Sequence, residues 1–131
     1  MTPKPLAIWH DAVKSNDLTA FEAIVEDDAV FLSPAIHRPQ VGKAMVSMYL
    51  RGAMLVLNNG SFRYTDEWVN DHSAVLEFEA TVGGLTVNGV DILRWNTNER
   101  ITSFKVMVRP FKGLTALMAE MKKLLDARGA P

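Results

Sequence analysis

The alternation of apolar and polar residues from Ser61 to Arg109 constrains the fold more than any other feature of this chain. A period of two is typical of half-buried β-strands, and short turn-like segments interrupt it at 70–72, 83–84 and 97–100. These breaks leave four predicted strands, at 61–69, 73–82, 85–95 and 101–109. Because connections this short join antiparallel neighbours, the pattern predicts an antiparallel meander.

The two later hairpins also predict which residues share a face of the sheet. Gly83-Gly84 suits a two-residue turn with positive φ at both positions, which places Leu76 opposite Asp91. A four-residue loop at 97–100 independently places Asp91 opposite Val106 and Trp95 opposite Thr102. Directly opposed residues lie on the same side of a sheet, so both turns put Asp91 on an apolar face. The other members of that face include Leu76, Phe78, Ala80, Val82, Leu85, Val87, Gly89, Leu93, Trp95, Phe104, Val106 and Val108.

The first hairpin allows two registers. A three-residue loop at 70–72 places Phe62, Tyr64, Asp66 and Trp68 on the apolar face, whereas a two-residue loop places Arg63, Thr65 and Glu67 there. We prefer the first register because it buries three aromatic side chains. It also puts Asp66 opposite Leu76 and within reach of Asp91.

Helical patterns precede the predicted meander. Apolar residues at i, i+3, i+4 and i+7 predict one helix around Trp9 and another from Leu18 to about Glu26, with Asp17 as its N-terminal cap. A short apolar strand is predicted at 29–33, before a loop that contains two prolines. The order of elements predicts an α+β fold in which helices cover one face of a curved antiparallel sheet.

Two further helices are predicted. A long one spans 43–57, and its apolar stripe contains Met45, Met48, Tyr49, Gly52, Leu55 and Val56. Glycine inside a helix costs up to about 1 kcal/mol relative to alanine, so Gly52 predicts a close approach by another backbone. An amphipathic C-terminal helix follows Pro110, and its apolar stripe runs from Leu114 to Leu125.

Composition excludes several classes of protein. With 131 residues, 48% of them hydrophobic, and a net charge of −1, the chain is expected to form a single domain over 1–131. A nearly neutral chain is not expected to bind nucleic acid. The absence of cysteine excludes disulfides, thiolate metal sites and a cysteine nucleophile. No apolar run reaches the ~20 residues that span a bilayer and no secretory signal is evident, so no membrane association and a cytoplasmic location are expected.

Asp91 is the one charged residue that the two later hairpins place on the predicted apolar face. An unpaired buried carboxylate is costly, so the pKa of Asp91 is expected to rise until the group is largely neutral, or the carboxylate must be hydrogen-bonded. A neutral carboxyl in a dry pocket can donate a hydrogen bond to a ligand carbonyl or to an oxyanion. The alternative is a structural Asp91 that a water, a backbone group or Asp66 satisfies.

Several stretches of the chain resemble the nuclear-transport-factor-2-like superfamily, in its SnoaL-like and ketosteroid-isomerase-like branch. They are NDLTAFEAIVEDDAVFLSP, IHRP-x-x-G, GVDILRW and RITSFKVMV, and the resemblance extends over nearly the whole chain up to Val108. It implies a cystatin-like cone, in which a curved antiparallel sheet wraps a long helix around an apolar pocket, here with an extra C-terminal helix. It also implies a homodimer.

The resemblance carries catalytic residues over only in part. Asp91 matches the ketosteroid-isomerase aspartate that donates to the substrate oxyanion, and Trp9 falls near that family's tyrosine donor. The general-base position is occupied by Ser33, whose hydroxyl cannot shuttle protons without a partner base. Steroid-isomerase chemistry of that form is therefore not expected.

Two other catalytic patterns of the superfamily also fit poorly. SnoaL-like cyclases carry a carboxylate on the last strand, and SFKVMVRP has none. Limonene-epoxide-hydrolase-like members use an Asp–Arg–Asp group, which Asp91 and Asp66 could imitate. The available arginines, Arg94 and Arg109, fall on the opposite face of the predicted sheet.

The candidate site residues follow from the predicted pocket. Asp91, His37 and Asp66 are the candidate acid and base groups, His37 because it lies in a loop near Ser33 and because imidazole is a common acid or base in proteins. The three histidines have no ligand spacing, so no metal site and no cofactor are predicted. The candidate ligand-binding residues are Trp9, Ser33, Tyr49, Tyr64, Trp68, Phe78, Trp95, Phe104 and Val106.

Three functions stay open at this point. The chain is an isomerase, cyclase or hydrolase acting on a small apolar carbonyl compound, a non-catalytic binder of such a molecule, or an interaction domain whose pocket its own side chains fill. A cavity below ~300 Å³ would not suit a drug-sized ligand. Val90, Ile92 and Met107 on the outer sheet face, flanked by Lys105 and Arg109, form a predicted dimer patch, and the C-terminal helix covers either the pocket mouth or a dimer contact.

Overall fold

A computed structural model describes residues 2–127, except for the side chain of Leu125. The last residue of the predicted C-terminal apolar stripe, Leu125, therefore has no described side chain. The elements are α1 (Lys4–Ser15), α2 (Thr19–Glu22), β1 (Val25–Leu32), β2 (Gln40–Val41), α3 (Lys43–Leu57), β3 (Arg63–Val69), β4 (Ser73–Val82), β5 (Leu85–Trp95), β6 (Ile101–Arg109) and α4 (Phe111–Ala127). No helix in this range is long and apolar enough to cross a membrane.

The six strands form a single curved sheet with the order β2-β1-β6-β5-β4-β3. The predicted meander is confirmed, since β3 to β6 pair antiparallel in chain order. One pairing in the sheet is parallel, between β1 and β6, because the chain crosses the inner face before the meander begins. α3 packs on β1, and α4 packs on α3, β5 and β6, which confirms the α+β class with helices on the inner face.

The predicted registers around Asp91 are confirmed. Leu76 pairs with Asp91, and Asp91 pairs with Val106. The pairing of Trp95 with Thr102 was wrong, because a bulge follows Arg94 and Trp95 pairs with Ile101 instead. The bulge allows both residues to be buried on the inner face, where Trp95 is 5% exposed and Ile101 is 0% exposed.

The first hairpin combines the two registers that the sequence left open. Its turn is tight, since Asn70 N–H donates to the Ser73 carbonyl and Glu67 pairs with Leu76. A bulge between Tyr64 and Asp66 then shifts the register by one residue, so that Tyr64 pairs with Phe78. Near the turn, the hairpin therefore has the register predicted for a two-residue loop. Beyond the bulge, toward Arg63, it has the register predicted for a three-residue loop.

This bulge corrects the predicted positions of two side chains. Asp66 pairs with Glu77 and is exposed on the outer face, so its placement opposite Leu76 was wrong. Trp68 pairs with Val75 and is 53% exposed on the same outer face. Because side chains alternate along a strand, a slip of one residue moves each of them to the opposite side of the sheet.

The second helix is shorter than its sequence pattern predicts. α2 is a single turn whose N-cap is Leu18 rather than the predicted Asp17, and Oδ1 of Asp17 accepts the Thr19 N–H at 2.9 Å just before the helix. β1 begins at Val25 rather than at residue 29, because Ile101 N–H donates to the Ile24 carbonyl and Arg100 pairs with Glu26. These contacts with β6 override the helical spacing of the local sequence.

The long helix has its predicted bounds, but its buried face is shifted. Val46, Tyr49, Leu50, Gly52 and Leu57 are buried, whereas Leu55 is 51% exposed. A Cβ at Gly52 would lie 3.4 Å from the Met121 Cε of α4, so a flexible side chain rather than a backbone approaches this glycine.

Candidate functional site

A chain of three hydrogen-bonded side chains connects α1, β3 and β5 on the inner face of the sheet. The Trp9 indole Nε1–H donates to the Tyr64 hydroxyl at 2.9 Å. The Tyr64 hydroxyl donates to Oδ2 of Asp91 at 2.6 Å. Asp91 is 7% exposed and is the only charged residue among the buried side chains of the described range.

The surroundings of Asp91 disfavour its charged form. Burial raises the pKa of Asp91 to about 7, while the hydrogen bond from Tyr64 opposes that rise because it stabilises the carboxylate. The pKa of Tyr64 is raised well above its usual value, first by burial and then by the neighbouring Asp91 charge. Near neutral pH the site therefore holds a neutral phenol beside a carboxyl group that gains and loses a proton easily.

Local structure explains why these side chains meet. The bulge in β3 turns Tyr64 to the inner face, where Phe62 packs against it edge to face with ring centroids 5.0 Å apart. Phe62 also stacks on Phe78 at 5.2 Å. On the other side, Trp9 contacts the Phe104 ring edge to face at 4.8 Å. Aromatic packing thus fixes the orientation of Trp9 toward Tyr64 and of Tyr64 toward Asp91.

Asp91 lines an apolar cavity between the sheet and the helices. The cavity has a volume of about 50 Å³ in this conformation. That volume admits a few waters but is well below the ~300 Å³ of a drug-sized site. Its lining consists of Trp9, Val13, Phe31, Ser33, Pro34, Leu50, Ala53, Met54, Leu57, Asn58, Phe62, Tyr64, Asp91, Phe104, Val106, Leu117, Met118 and Met121.

Ser33 lines the same cavity as Asp91, on the other side of β6. It directly follows β1, whose Leu32 pairs with Lys105, while the next residue of β6, Val106, pairs with Asp91. Two strand spacings separate β1 from β5, which puts Ser33 roughly 10 Å from Asp91. The Ser33 hydroxyl oxygen accepts the Ala35 N–H at 3.1 Å. Ser33 thus offers a weak polar contact and no carboxylate opposite Asp91.

The structure brings together some of the predicted site residues and separates the others. Trp9, Ser33, Tyr64, Asp91, Phe104 and Val106 line the cavity as predicted. Tyr49, Phe78 and Trp95 are buried in the core outside that lining. Tyr49 stacks on Phe31 at 5.0 Å, and the Trp95 Nε1–H donates to the Asp71 carbonyl at 3.0 Å. Asp66 and Trp68 are exposed on the outer face, and His37 is exposed in its loop outside the cavity lining.

The candidate site residues predicted from the sequence include none of the α3 and α4 side chains that line the cavity. Met54 and Asn58 come from α3 and its C-terminal end, while Met118 and Met121 come from α4. The only signal is the i, i+3 spacing of the last two methionines, which core packing produces equally often. α4 lines the cavity, in agreement with the first of its two predicted positions. No three His, Asp or Glu side chains between residues 2 and 127 are grouped so as to hold a metal ion.

The curved sheet, the helices on its inner face and the buried carboxyl define an α+β cone of the cystatin-like class. A model of the SnoaL-like domain family matches residues 7–104, and this chain belongs to that family. No match was found among curated proteins.

Solved structures support the same assignment. A steroid delta-isomerase from Pseudomonas aeruginosa is 38% identical, with a TM-score of 0.90 over 95% of this chain and 90% of that one. An uncharacterized bacterial protein with a cystatin-like fold from Silicibacter pomeroyi is 28% identical, with a TM-score of 0.86 over 97% and 90%. An NTF2-like protein of unknown function from Mesorhizobium loti shares the fold at 16% identity, with a TM-score of 0.69 over 82% and 89%.

Proposed function

We propose that this protein binds a small apolar molecule through a carbonyl oxygen and promotes an isomerase-type enolisation of it, in which the neutral Asp91 carboxyl donates to the carbonyl oxygen and water accepts the proton lost from carbon. The observation that carries the proposal is the buried Asp91 carboxyl, held by Tyr64 at 2.6 Å in an otherwise apolar cavity. The similarity to a steroid delta-isomerase supports the reaction type. The cytoplasm remains the expected location.

The hydrogen-bond chain defines the role of each group. Because Tyr64 donates to Oδ2 of Asp91, the other oxygen, Oδ1, is the one that can carry a proton toward a ligand. No side chain or backbone group of the described residues donates to Oδ1. A donor in a dry, preorganised site stabilises developing negative charge on a carbonyl oxygen far better than water does. Trp9 orients the Tyr64 hydroxyl, so it acts as a positioning residue.

The second candidate function is non-catalytic binding of the same class of molecule. Ser33 favours it, because a hydroxyl without a partner base cannot remove a proton from carbon. Under this alternative the Asp91 carboxyl fixes the ligand oxygen and no bond changes. The two functions therefore share a ligand and differ in turnover.

Proton exchange separates the two functions. The methyl protons of acetophenone exchange with D₂O through the enol, and proton NMR follows the loss of signal while a titration gives binding. An enzyme accelerates the exchange, and Asp91→Asn slows it at least tenfold while the exposed-carboxyl control Asp66→Asn does not. Binding without faster exchange supports the binder, and the absence of binding overturns both functions.

We also propose that the protein forms a homodimer through its outer sheet face. Trp68, Val75 and Ile92 are neighbours in one row across three strands, and Val90 pairs with Met107 in the next row. Trp68 in the first row is 53% exposed, and Met107 in the second row is 49% exposed. The two rows therefore form an exposed apolar surface on the described residues. The supporting charge pattern is acidic toward β3 and β4 and basic at Lys105 and Arg109 on β6. A twofold axis along the strands places the acidic side of one copy against the basic side of the other.

A further inference from the structure

The cavity beside Asp91 is small and is lined in part by flexible side chains. Eighteen residues line it, yet its volume is about 50 Å³. Three of the lining residues are methionines, Met54 of α3 and Met118 and Met121 of α4. Methionine is unbranched and has three rotatable side-chain bonds, so it fills irregular space and vacates it at low cost.

These methionines occupy the gap between α3 and α4. The Met121 Cε of α4 lies 3.4 Å from the position that a Cβ on Gly52 of α3 would occupy, so this side chain fills the space beside the glycine. Leu50 and Leu57 of α3 and Leu117 of α4 line the cavity on either side of that gap. Rotation of the Met118 and Met121 side chains would extend the cavity from Asp91 into this apolar cleft.

The attachment of α4 permits such an extension. Within residues 2–127, each side-chain hydrogen bond and ion pair of α4 is internal to the helix, from Thr115 to Phe111 and from two lysines, Lys122 and Lys123, to Asp126 and Glu120. The first turn is anchored at Gly113, where a Cβ would lie 3.1 Å from the Thr86 carbonyl oxygen. Beyond that turn the helix is held by apolar packing, which side-chain rotation rearranges without breaking a polar contact.

We propose that Met54, Met118 and Met121 determine the size and shape of the ligand, resting on the proposed function for the carbonyl contact at Asp91. The ligand has one oxygen at the Asp91 end and an uncharged apolar body that displaces the methionine side chains and lies between α3 and α4. A ligand with a charge or several polar groups on that body is rejected, since the cleft offers it no partner.

A ring series of aryl methyl ketones tests this role. Acetophenone, 2-acetylnaphthalene and 2-acetylphenanthrene share one carbonyl and differ only in the apolar body. Calorimetry gives the affinity of each for the full chain and for Met118→Ala, Met121→Ala and the control Met107→Ala, whose side chain lies on the outer face. Met118→Ala and Met121→Ala are expected to raise the affinity for the three-ring ketone at least tenfold relative to acetophenone, and Met107→Ala to leave this ratio within twofold.

A second measurement requires no cavity-lining substitution. With methionine labelled at the ¹³C methyl, 2-acetylnaphthalene is expected to shift the Met54, Met118 and Met121 signals of the unaltered protein and to leave Met107 in place. An unchanged size preference in both alanine variants, together with unshifted methionine signals, overturns the inference while the proposed function stands. Conversely, if Asp91→Asn binds each ketone as tightly as the wild type does, the carbonyl contact is overturned and the role of the methionines in ligand size stands. Failure of every ketone to bind any variant overturns both.

Discussion

The hydroxyl of Tyr64 lies 2.6 Å from Oδ2 of Asp91 and at the same time accepts the Trp9 indole N–H at 2.9 Å. One phenol thus joins a carboxyl on β5 to a helix whose Trp9 is 55 residues away from Tyr64 in the sequence. Because the phenol already donates its proton, the Asp91 carboxyl is held in one orientation whether it is charged or neutral. Its second oxygen is left for the cavity, so the protonation of Asp91 affects both the stability of the fold and the chemistry of the cavity.

Asp91→Asn should stabilise the protein at high pH and do so much less at low pH. The pKa of Asp91 is about 7 in the folded protein and near 3.8 in the unfolded chain, so the folded chain binds more protons between those values and its stability falls as pH rises. Asparagine does not titrate, so the variant does not lose stability in this way as the pH rises. The difference in the free energy of unfolding between variant and wild type is therefore expected to grow by about 2–3 kcal/mol from pH 5 to pH 8.

Urea denaturation at pH 5 and at pH 8 measures that difference. Asp66→Asn serves as the control for the loss of a carboxylate, because Asp66 is exposed on the outer face. A constant difference for Asp91→Asn across this range would show that the buried carboxyl does not titrate there.

Tyr64→Phe should raise the pKa of Asp91 further. The Tyr64 hydrogen bond lowers that pKa, against the larger effect of burial, so removing the hydroxyl leaves burial unopposed. The Trp9 N–H also loses its acceptor, at a cost of about 1–3 kcal/mol of unfolding free energy. Carbon-13 NMR of the aspartate carboxyl groups follows the titration, and a midpoint for Asp91 at or below the wild-type value would contradict the prediction.

Most of the sheet was predictable because its registers are set locally. A two-residue Gly83-Gly84 turn and the 97–100 loop each fix the position of Asp91, and they agree. The two errors of register, at Trp95 and between Tyr64 and Asp66, are both β-bulges. A bulge is a response to packing across the sheet, so alternation along a single strand does not predict it.

Apart from Trp9, which the family resemblance supplied, the site was predictable only where a strand carries it or has just ended. Asp91 follows from register, and Tyr64 from the expectation that aromatic side chains face inward. The contact between Trp9 and Tyr64 depends on how α1 lies against the sheet, and periodicity does not supply this placement. The role of the methionines that line the cavity is harder still to predict, because Met118 and Met121 have the spacing of ordinary core residues.

Gly89→Ala should destabilise the fold strongly, whereas Gly52→Ala should not. A Cβ at Gly89 would lie 2.4 Å from the Met107 carbonyl oxygen and 2.7 Å from the Phe78 Cζ, so the β5–β6 pairing must shift. Overpacking of this kind costs about 1–3 kcal/mol or more. At Gly52 only the flexible end of Met121 gives way, and the gain in helix propensity is up to about 1 kcal/mol. Thermal and urea unfolding compare the two variants, and equal losses of stability would contradict the assigned contacts.

Lysine substitutions on the outer sheet face should dissociate the proposed dimer. Trp68→Lys and Met107→Lys each put a charge into the exposed apolar surface, where 53% and 49% of these side chains is accessible in the single chain. Burying an unpaired charge in an interface is costly, so each variant is expected to be monomeric at concentrations where the wild type is dimeric. Sedimentation velocity across a dilution series measures the change.

The matched control for the dimer is Leu55→Lys. Leu55 is 51% exposed like the other two, but it lies on α3, on the side of the sheet that faces away from the proposed interface. Trp68 provides an independent optical readout, because Trp9 and Trp95 are 3% and 5% exposed and only Trp68 emission should shift to the red when the dimer dissociates. Dissociation caused by Leu55→Lys, with Trp68→Lys remaining dimeric, would place the interface on the helical side of the cone and reject the outer sheet face.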